Sequence, residues 1–209
     1  MSQRYRPGLT LLPLIGLLAG CAPFFVQTTD DGAQAREPSA EAGLSDDTRP
    51  FDTTLAIAVF KEKRELVVLR NGVAEQSFPV QLGPSPFGHK QVRGDRRTPE
   101  GTYRICTIKP SRFLSFFWLS YPNEKDALEA LEAGRLSGDE YRRIVQALES
   151  GACPPADTAL GGLVGIHGDY RDPPRYYDWT EGCIAMTRKE DLMQLASLVQ
   201  PGTPVVILP

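Results

Sequence analysis

Two residues in this sequence have the types and spacing for covalent chemistry, a histidine and a cysteine sixteen positions apart. His167 stands in Leu163-Val164-Gly165-Ile166-His167-Gly168, and Cys183 in Trp179-Thr180-Glu181-Gly182-Cys183-Ile184-Ala185-Met186-Thr187. An imidazole beside a thiol suits nucleophilic acyl transfer. The ring takes the thiol proton, sulfur attacks a carbonyl, and the ring returns the proton to the leaving amine. Such a neighbour is expected to hold Cys183 as thiolate, its pKa drawn down from ~8.5 toward neutrality or below. The small Gly182 lets the backbone approach a ligand. The N–H groups of Gly182 and Cys183 are therefore candidate oxyanion donors, typically worth ~3–4 kcal/mol each. No acidic residue is obviously placed to fix the tautomer of His167, which leaves a backbone carbonyl for that task. By type alone a buried structural cysteine is the commoner occurrence, so the pair needs support from the rest of the chain. Zinc would want three or four ligands at spacings such as C-x₂-C or H-x₃-H; none occurs, and no metal or cofactor is expected.

The elements that must position this pair are mainly strands. Leu55 to Phe60 and Leu66 to Leu69 are apolar, partly β-branched runs. Asn71-Gly72 supplies the pair of positive φ angles that a two-residue hairpin requires, and Val73 to Val80 returns. Residues 83–99 are rich in glycine and proline and read as loop, Thr102 to Ile108 reads as a strand ending at Pro110, and His167 closes a short strand. Asn123 with Asp126 caps a first helix whose apolar face is Ala127, Leu128 and Leu131. Ser137 with Glu140 makes a capping box for a second, carrying Tyr141, Ile144, Val145 and Leu148. A third helix is expected from Thr187, boxed by Glu190, burying Leu192, Leu195 and Leu198, stopped by Pro201-Gly202 and followed by a strand from Val205 to Leu208.

The N-terminus reads as an export segment. Arg4 and Arg6 precede an apolar run from Leu9 to Leu18, too short for the ~20 residues of a membrane span. Leu18-Ala19-Gly20-Cys21 resembles a bacterial lipobox, so residues 1–20 are expected to be a lipoprotein signal peptide and Cys21 the lipidated residue; a plain secretory signal is the alternative. Residues 21–50 hold little to bury and read as the lipidated cysteine and a flexible tether. Residues 22–50 as random coil would span ~30 Å on average and ~100 Å fully extended. Ala22 rather than Asp after the anchor favours the outer membrane, with the protein in the periplasm. Loss of Arg4 and Arg6 from 23 basic against 26 acidic residues leaves a net charge of about −5. With no basic stripe, nucleic acid is not an expected partner. Lipidation of Cys21 leaves Cys106, Cys153 and Cys183. Exported thiols tend to pair, so a Cys106–Cys153 disulfide with Cys183 free is expected, three unpaired thiols being the alternative.

His167-Gly168 followed by Thr180-x-Gly182-Cys183-Ile184-x-Met186 resembles the signature of the L,D-transpeptidase catalytic domain (YkuD-like) family. Gly88-His89-Lys90, Gly94-Asp95 and Thr98-Pro99-Glu100-Gly101-Thr102-Tyr103 match its upstream region, and Ser120-Tyr121-Pro122-Asn123 resembles a branch with a helical insertion. The resemblance implies a β-rich α+β fold over residues 51–209, with packed mixed β-sheets, a helical insertion at about 123–150 and one C-terminal helix. It implies Cys183 as nucleophile, His167 as base, the Gly168 carbonyl as orienter of the ring, and Gly182 and Cys183 as oxyanion hole. The expected substrates are peptidoglycan stem peptides: attack on the carbonyl of the third residue releases D-Ala and leaves a thioester. An amine then accepts the acyl group, from another stem or from an envelope lipoprotein. Thr180 stands where the family usually has Ser. Ala185 stands where it usually has Arg, a natural clamp for a carboxylate. Members with Ala-Met-Thr here include a hydrolytic branch that frees lipoprotein from peptidoglycan. Hydrolysis is thus the first alternative, and a non-catalytic peptidoglycan-binding lipoprotein the second.

Other residues have weaker claims. His89 lines the cleft or sits on the surface. Asp95, Arg96, Arg97 and Glu100 read as a solvated turn. Phe113, Phe116, Phe117 and Trp118 read first as a core strand and second as a cleft wall. Tyr176, Tyr177 and Trp179 suit a lid or glycan-facing wall. Arg171 or Arg175 would replace the guanidinium missing at Ala185. The substrate-binding set is therefore His89, Thr180, Trp179, Arg175 and Tyr177.

Overall fold

A computed structural model describes residues 54–209, and the eight strands among these residues close into a ring. The export segment, Cys21 and the tether lie outside the described residues. In chain order the elements are β1 (Leu55–Phe60), β2 (Glu65–Arg70), β3 (Val73–Gln81), β4 (Gly101–Ser111), β5 (Leu114–Leu119), α1 (Glu124–Glu132), α2 (Gly138–Glu149), β6 (Gly165–Gly168), β7 (Ile184–Met186), α3 (Lys189–Leu198) and β8 (Pro204–Leu208). The β1–β2–β3 meander is antiparallel, with Asn71 and Gly72 both at positive φ in its second turn. β8 pairs in parallel with β1 and antiparallel with β4, and β7 joins β6 in parallel and β3 antiparallel. The expected mixed sheets are thus one closed ring, because β8 and β7 each bridge two strands distant in sequence.

Side chains alternate across the strands, so one face of each enters the core. Ile57, Val59, Leu66, Val80, Phe117, Ile166, Ile184, Met186, Val205 and Ile207 form a single cluster, which Leu192 and Leu195 of α3 join. His167 and Ala185, one step along from Ile166 and Ile184, are therefore turned to the opposite face. They are register partners on β6 and β7. A second cluster of Ala127, Ala130, Leu136, Ile144 and Leu160 holds the helical insertion together.

Four local expectations are corrected. β4 runs through Pro110 to Ser111; beyond Arg104 it has lost β8 and keeps only β5, so this stretch is an edge where proline is tolerated. α1 buries Ala127 and Ala130 while Leu128 is exposed, because its close approach to α2 needs small residues. α3 starts at Lys189 without a side-chain cap. Thr187 is buried with its hydroxyl unpartnered, and the Arg188 guanidinium pairs with Asp191 instead. Leu198 is only partly buried.

Cys106 and Cys153 form a disulfide with Cα atoms 5.3 Å apart, tying β4 to the segment after α2. Cys106 sits at the β4 bulge between Ile105 and Thr107. A loop closed over 47 residues restrains the unfolded chain by about 4 kcal/mol. The Cys106→Ala/Cys153→Ala protein is expected to lose about 2–4 kcal/mol in urea unfolding monitored by circular dichroism. A loss under about 0.5 kcal/mol would mean that native strain cancels the gain.

Candidate active site

The turn that presents Cys183 is built by the end of β3 and by the loop 83–99. The Leu82 carbonyl accepts from the N–H groups of Trp179 (2.8 Å) and Thr180 (2.9 Å), while Leu82 N–H donates to Asp178 Oδ1 at 2.8 Å. Asp178 is held in turn by the Arg64 guanidinium at 2.7 Å. Inside the turn the buried Thr180 hydroxyl donates to the Cys183 carbonyl at 2.7 Å and accepts from Gly182 N–H at 3.2 Å. Thr180 thus shapes the nucleophile turn rather than offering its hydroxyl to substrate. Gly182 has φ 118°, and a Cβ placed on it would lie 2.5 Å from the Arg97 carbonyl oxygen. Its N–H is engaged by Thr180, so of the two expected oxyanion donors this one is not free in the resting state.

The loop behind the turn is not the expected solvated turn but is ordered by ion pairs. Lys61, 2 % exposed, donates from Nζ to the carbonyls of Gly88 (2.7 Å) and Thr98 (3.1 Å) and to Glu100 Oε1 (2.6 Å). Lys90, also buried, pairs with Asp95 at 2.7 Å, and Asp95 accepts from the N–H groups of Gln91, Val92 and Arg97. The correction has a simple cause: buried charges persist when each is paired and its remaining valences are met. His89 is likewise not in the cleft. Its Nδ1 accepts from Glu100 N–H at 3.0 Å, and its Nε2 lies 3.4 Å from Asp126 in α1.

His167 is 3 % exposed. Its Nδ1 lies 2.8 Å from the Gly168 carbonyl oxygen, and because that oxygen can only accept, Nδ1 carries the proton and Nε2 the lone pair. The ring is packed by Phe113 (4.5 Å between centroids), Phe116 (6.1 Å) and, edge-on, Trp179 (5.6 Å). Of the expected core aromatics only Phe117 enters the core; Phe113 and Phe116 are cleft wall. His167 and Cys183 line one cavity of about 490 Å³ together with Phe113, Phe116, Trp179 and Arg112. Cys183 Sγ donates to the Leu163 carbonyl at 3.5 Å.

Electrostatics in the cavity oppose a preformed ion pair. Burial lowers the His167 pKa below 6.5, with Arg175 acting the same way and the Gly168 carbonyl and Asp169 opposing. Burial pushes the Cys183 thiol up to about 11, against the smaller contrary effects of Gly165 N–H and Lys90. The residue as a whole is half-buried. Burial therefore favours a neutral thiol and a neutral imidazole over the expected thiolate, because lost hydration outweighs the field of Lys90 at the sulfur. Iodoacetamide labelling of Cys183 is expected to be slow at pH 7 and to rise steadily as pH approaches the thiol value of about 11. A rate flat from pH 6 to 8, read by intact mass against Cys183→Ala, would indicate a thiolate–imidazolium pair instead.

The segment 169–179 forms one wall, organised by Asp169, a residue outside the candidate set. The Arg175 guanidinium grips Asp169 bidentately at 2.9 and 2.8 Å, and the N–H groups of Arg171 and Arg175 donate to the same carboxylate. Burial alone would raise the Asp169 carboxyl; the Arg175 fork and these N–H groups outweigh it and hold it at about 2. Arg175 also lies 3.2 Å over the Trp179 ring. The clue in the sequence was the acid six residues before an arginine, a spacing with no helical or strand meaning. Arg175 is thus committed to the wall and not available as a substrate clamp. Tyr176 and Tyr177 stand exposed outside the cavity.

The closed ring thus brings a histidine with a carbonyl-fixed Nδ1 and a free cysteine into one cavity, an arrangement with the groups that acyl transfer would need. The family model of the L,D-transpeptidase catalytic domain (YkuD) matches residues 54–207, and the chain belongs to this peptidoglycan-modifying family. Similar solved structures include the helical cell shape determining protein Pgp2 from Campylobacter jejuni, with TM-score 0.52, 21 % identity, and coverage of 74 % of this chain and 47 % of that one. A point variant of Pgp2 gives TM-score 0.53 with 21 % identity over 75 % and 47 %. An L,D-transpeptidase from Mycobacterium smegmatis gives TM-score 0.42 with 14 % identity over 75 % and 59 %. The matched part is thus about half the length of the Pgp2 chains. Among curated proteins no match was found.

Proposed function

We propose that this protein is an L,D-transpeptidase-type cysteine acyltransferase acting on peptidoglycan stem peptides, with Cys183 as nucleophile and His167 as base. The observation that carries the reading is the Gly168 carbonyl 2.8 Å from His167 Nδ1, which leaves Nε2 as the proton acceptor in the cavity that Cys183 lines. In the first half-reaction the thiol proton passes to Nε2 as Sγ bonds to the substrate carbonyl carbon. Proton transfer and attack are coupled, because the resting pair is neutral. The oxyanion takes the Cys183 N–H, and the Gly182 N–H once it exchanges its 3.2 Å bond to Thr180. Collapse breaks the C–N bond, imidazolium returns its proton to the leaving D-Ala nitrogen, and a thioester remains. In the second half-reaction His167 takes a proton from the incoming amine, which displaces Sγ; the thiol is reprotonated and a new amide is made. The signal segment and Cys21 support a lipid-anchored periplasmic enzyme on the outer membrane, its tether carrying the domain to the cell wall, where a stem or an envelope lipoprotein would be acceptor.

A second reading, hydrolysis, is favoured by one position. Ala185 is buried beside His167, where the family usually carries an arginine. With water as acceptor the same thioester would yield a free acid, and existing stem or lipoprotein links would be cut. Full-length protein incubated with sacculi, some carrying attached lipoprotein, separates these outcomes against a Cys183→Ala control. New 3→3 dimers or lipoprotein links absent from the control are the expected result, and loss of existing links would assign the hydrolase. No change in either preparation would sink both readings and favour a peptidoglycan-binding protein without turnover.

A further inference from the structure

Among the described residues the lining of the cavity has one permanent cation, Arg112, and not Arg175. Arg175 is 11 % exposed and its fork is closed on Asp169. Arg112 differs in every respect. It sits at the tip of the β4–β5 hairpin and lines the cavity with His167 and Cys183. Its guanidinium rests 4.9 Å over the Phe113 ring and 6.0 Å from the Tyr170 ring. It forms no hydrogen bond or ion pair with any described residue. The aromatic faces fix the flat of the group and leave its five N–H donors unused, which suits bidentate capture of a carboxylate. The single acid of the lining, Glu181, lies 3.5 Å from the Arg96 guanidinium and does not neutralise Arg112. A second donor in the same lining, Trp179 Nε1, is buried without an acceptor. The cavity thus holds an unpaired cation and an unpaired N–H beside the nucleophile, while the position in register with His167 is an alanine.

We infer that Arg112 is the carboxylate-recognition residue of this site, selecting acyl donors whose leaving group ends in a free carboxylate. This rests on the acyl-transfer reading above for the meaning of "leaving group", but its binding consequence does not. With a carbonyl at Cys183, a departing D-amino acid lies in the cavity that the Arg112 guanidinium also lines. A donor whose leaving amine belongs to a protein lysine has no such carboxylate and gains nothing from Arg112.

The test is done in the full-length Cys183→Ala protein, which cannot turn over, by calorimetric titration with two probes. One is a stem tetrapeptide ending in D-Ala as the free acid; the other is the same peptide as its C-terminal carboxamide. The acid is expected to bind about 5- to 10-fold more tightly, as one charge-assisted bidentate contact at a half-open site gives. Adding Arg112→Met, which keeps an apolar stem on Phe113, is expected to bring the two within about twofold, and Arg112→Lys to leave an intermediate preference. Equal binding of acid and amide, or a preference that survives Arg112→Met, overturns the inference. Failure of wild-type protein to turn over either peptide would instead count against the acyltransferase reading, leaving the Arg112 result to stand on binding.

Discussion

Replacing His167 with asparagine is expected to lower turnover of stem peptides by about 10²- to 10⁴-fold with little loss of fold. The asparagine amide can still donate to the Gly168 carbonyl, so the buried acceptor at 2.8 Å keeps a partner. What is lost is the only basic nitrogen among the side chains that line the cavity. The effect should be large because the thiol is held up at about 11, so that very little thiolate exists without a base to take the proton. In wild type, burial of His167 keeps its pKa below 6.5, so the base is already neutral at pH 7 and the acid limb of kcat/KM should fall below pH 6.5. In His167→Asn that limb should vanish and the residual rate should climb with pH toward the thiol value. Steady-state kinetics across pH, with thermal unfolding as the control for fold, decide the matter. Activity within tenfold of wild type would remove His167 from the mechanism.

The second large effect is expected at Gly182. An alanine there takes on a φ of 118° and a Cβ 2.5 Å from the carbonyl oxygen of Arg97, a residue whose N–H is held by Asp95, itself paired with the buried Lys90. Gly202 offers the comparison, with φ 97° and nothing within 4 Å of an added Cβ. Gly202→Ala should cost about 1–2 kcal/mol from backbone strain alone. Gly182→Ala should cost about 2–4 kcal/mol, because the turn must also move off the loop. Moving the turn shifts Sγ relative to His167, and a misplacement of about 1 Å can cost 10²-fold in rate. Acylation by a carbapenem, followed as an intact-mass shift, should therefore slow by about 10²-fold in Gly182→Ala and stay near wild type in Gly202→Ala. Equal behaviour of the two variants in both measurements would show that the Arg97 contact does not hold the nucleophile in place.

Much of this chain could be read without coordinates because its signals are local. Asn71-Gly72 announces its hairpin through the conformations that only such residues adopt readily. The capping boxes at Asn123 and Ser137 need nothing beyond three consecutive peptide units, and both are present. The pattern at Thr187 looked equivalent, yet Thr187 is drawn into the interior and Arg188 takes the cap position. A local signal is overruled where tertiary burial is worth more than a cap. His89 shows the same limit: a histidine in a glycine-rich loop can face anywhere, and packing against α1 turned it from the cleft.

What the sequence determined by itself was the family, the strand-rich architecture and the candidate pair His167 and Cys183. Residue type and short spacing carry that information, in the His167-Gly168 and Gly182-Cys183 blocks above all. Tertiary structure decided the direction in which that pair's pKa values shift, since the surroundings of Sγ and of the imidazole depend on walls contributed by Phe113, Leu163 and Trp179 from three different segments. It also decided which arginine is available. Arg175 and Arg112 look alike in the sequence, but Asp169 closes the fork of one while the hairpin tip leaves the other open. Which arginine a carboxylate captures is set by the path of the loop between β6 and β7, and residue types alone do not encode that path.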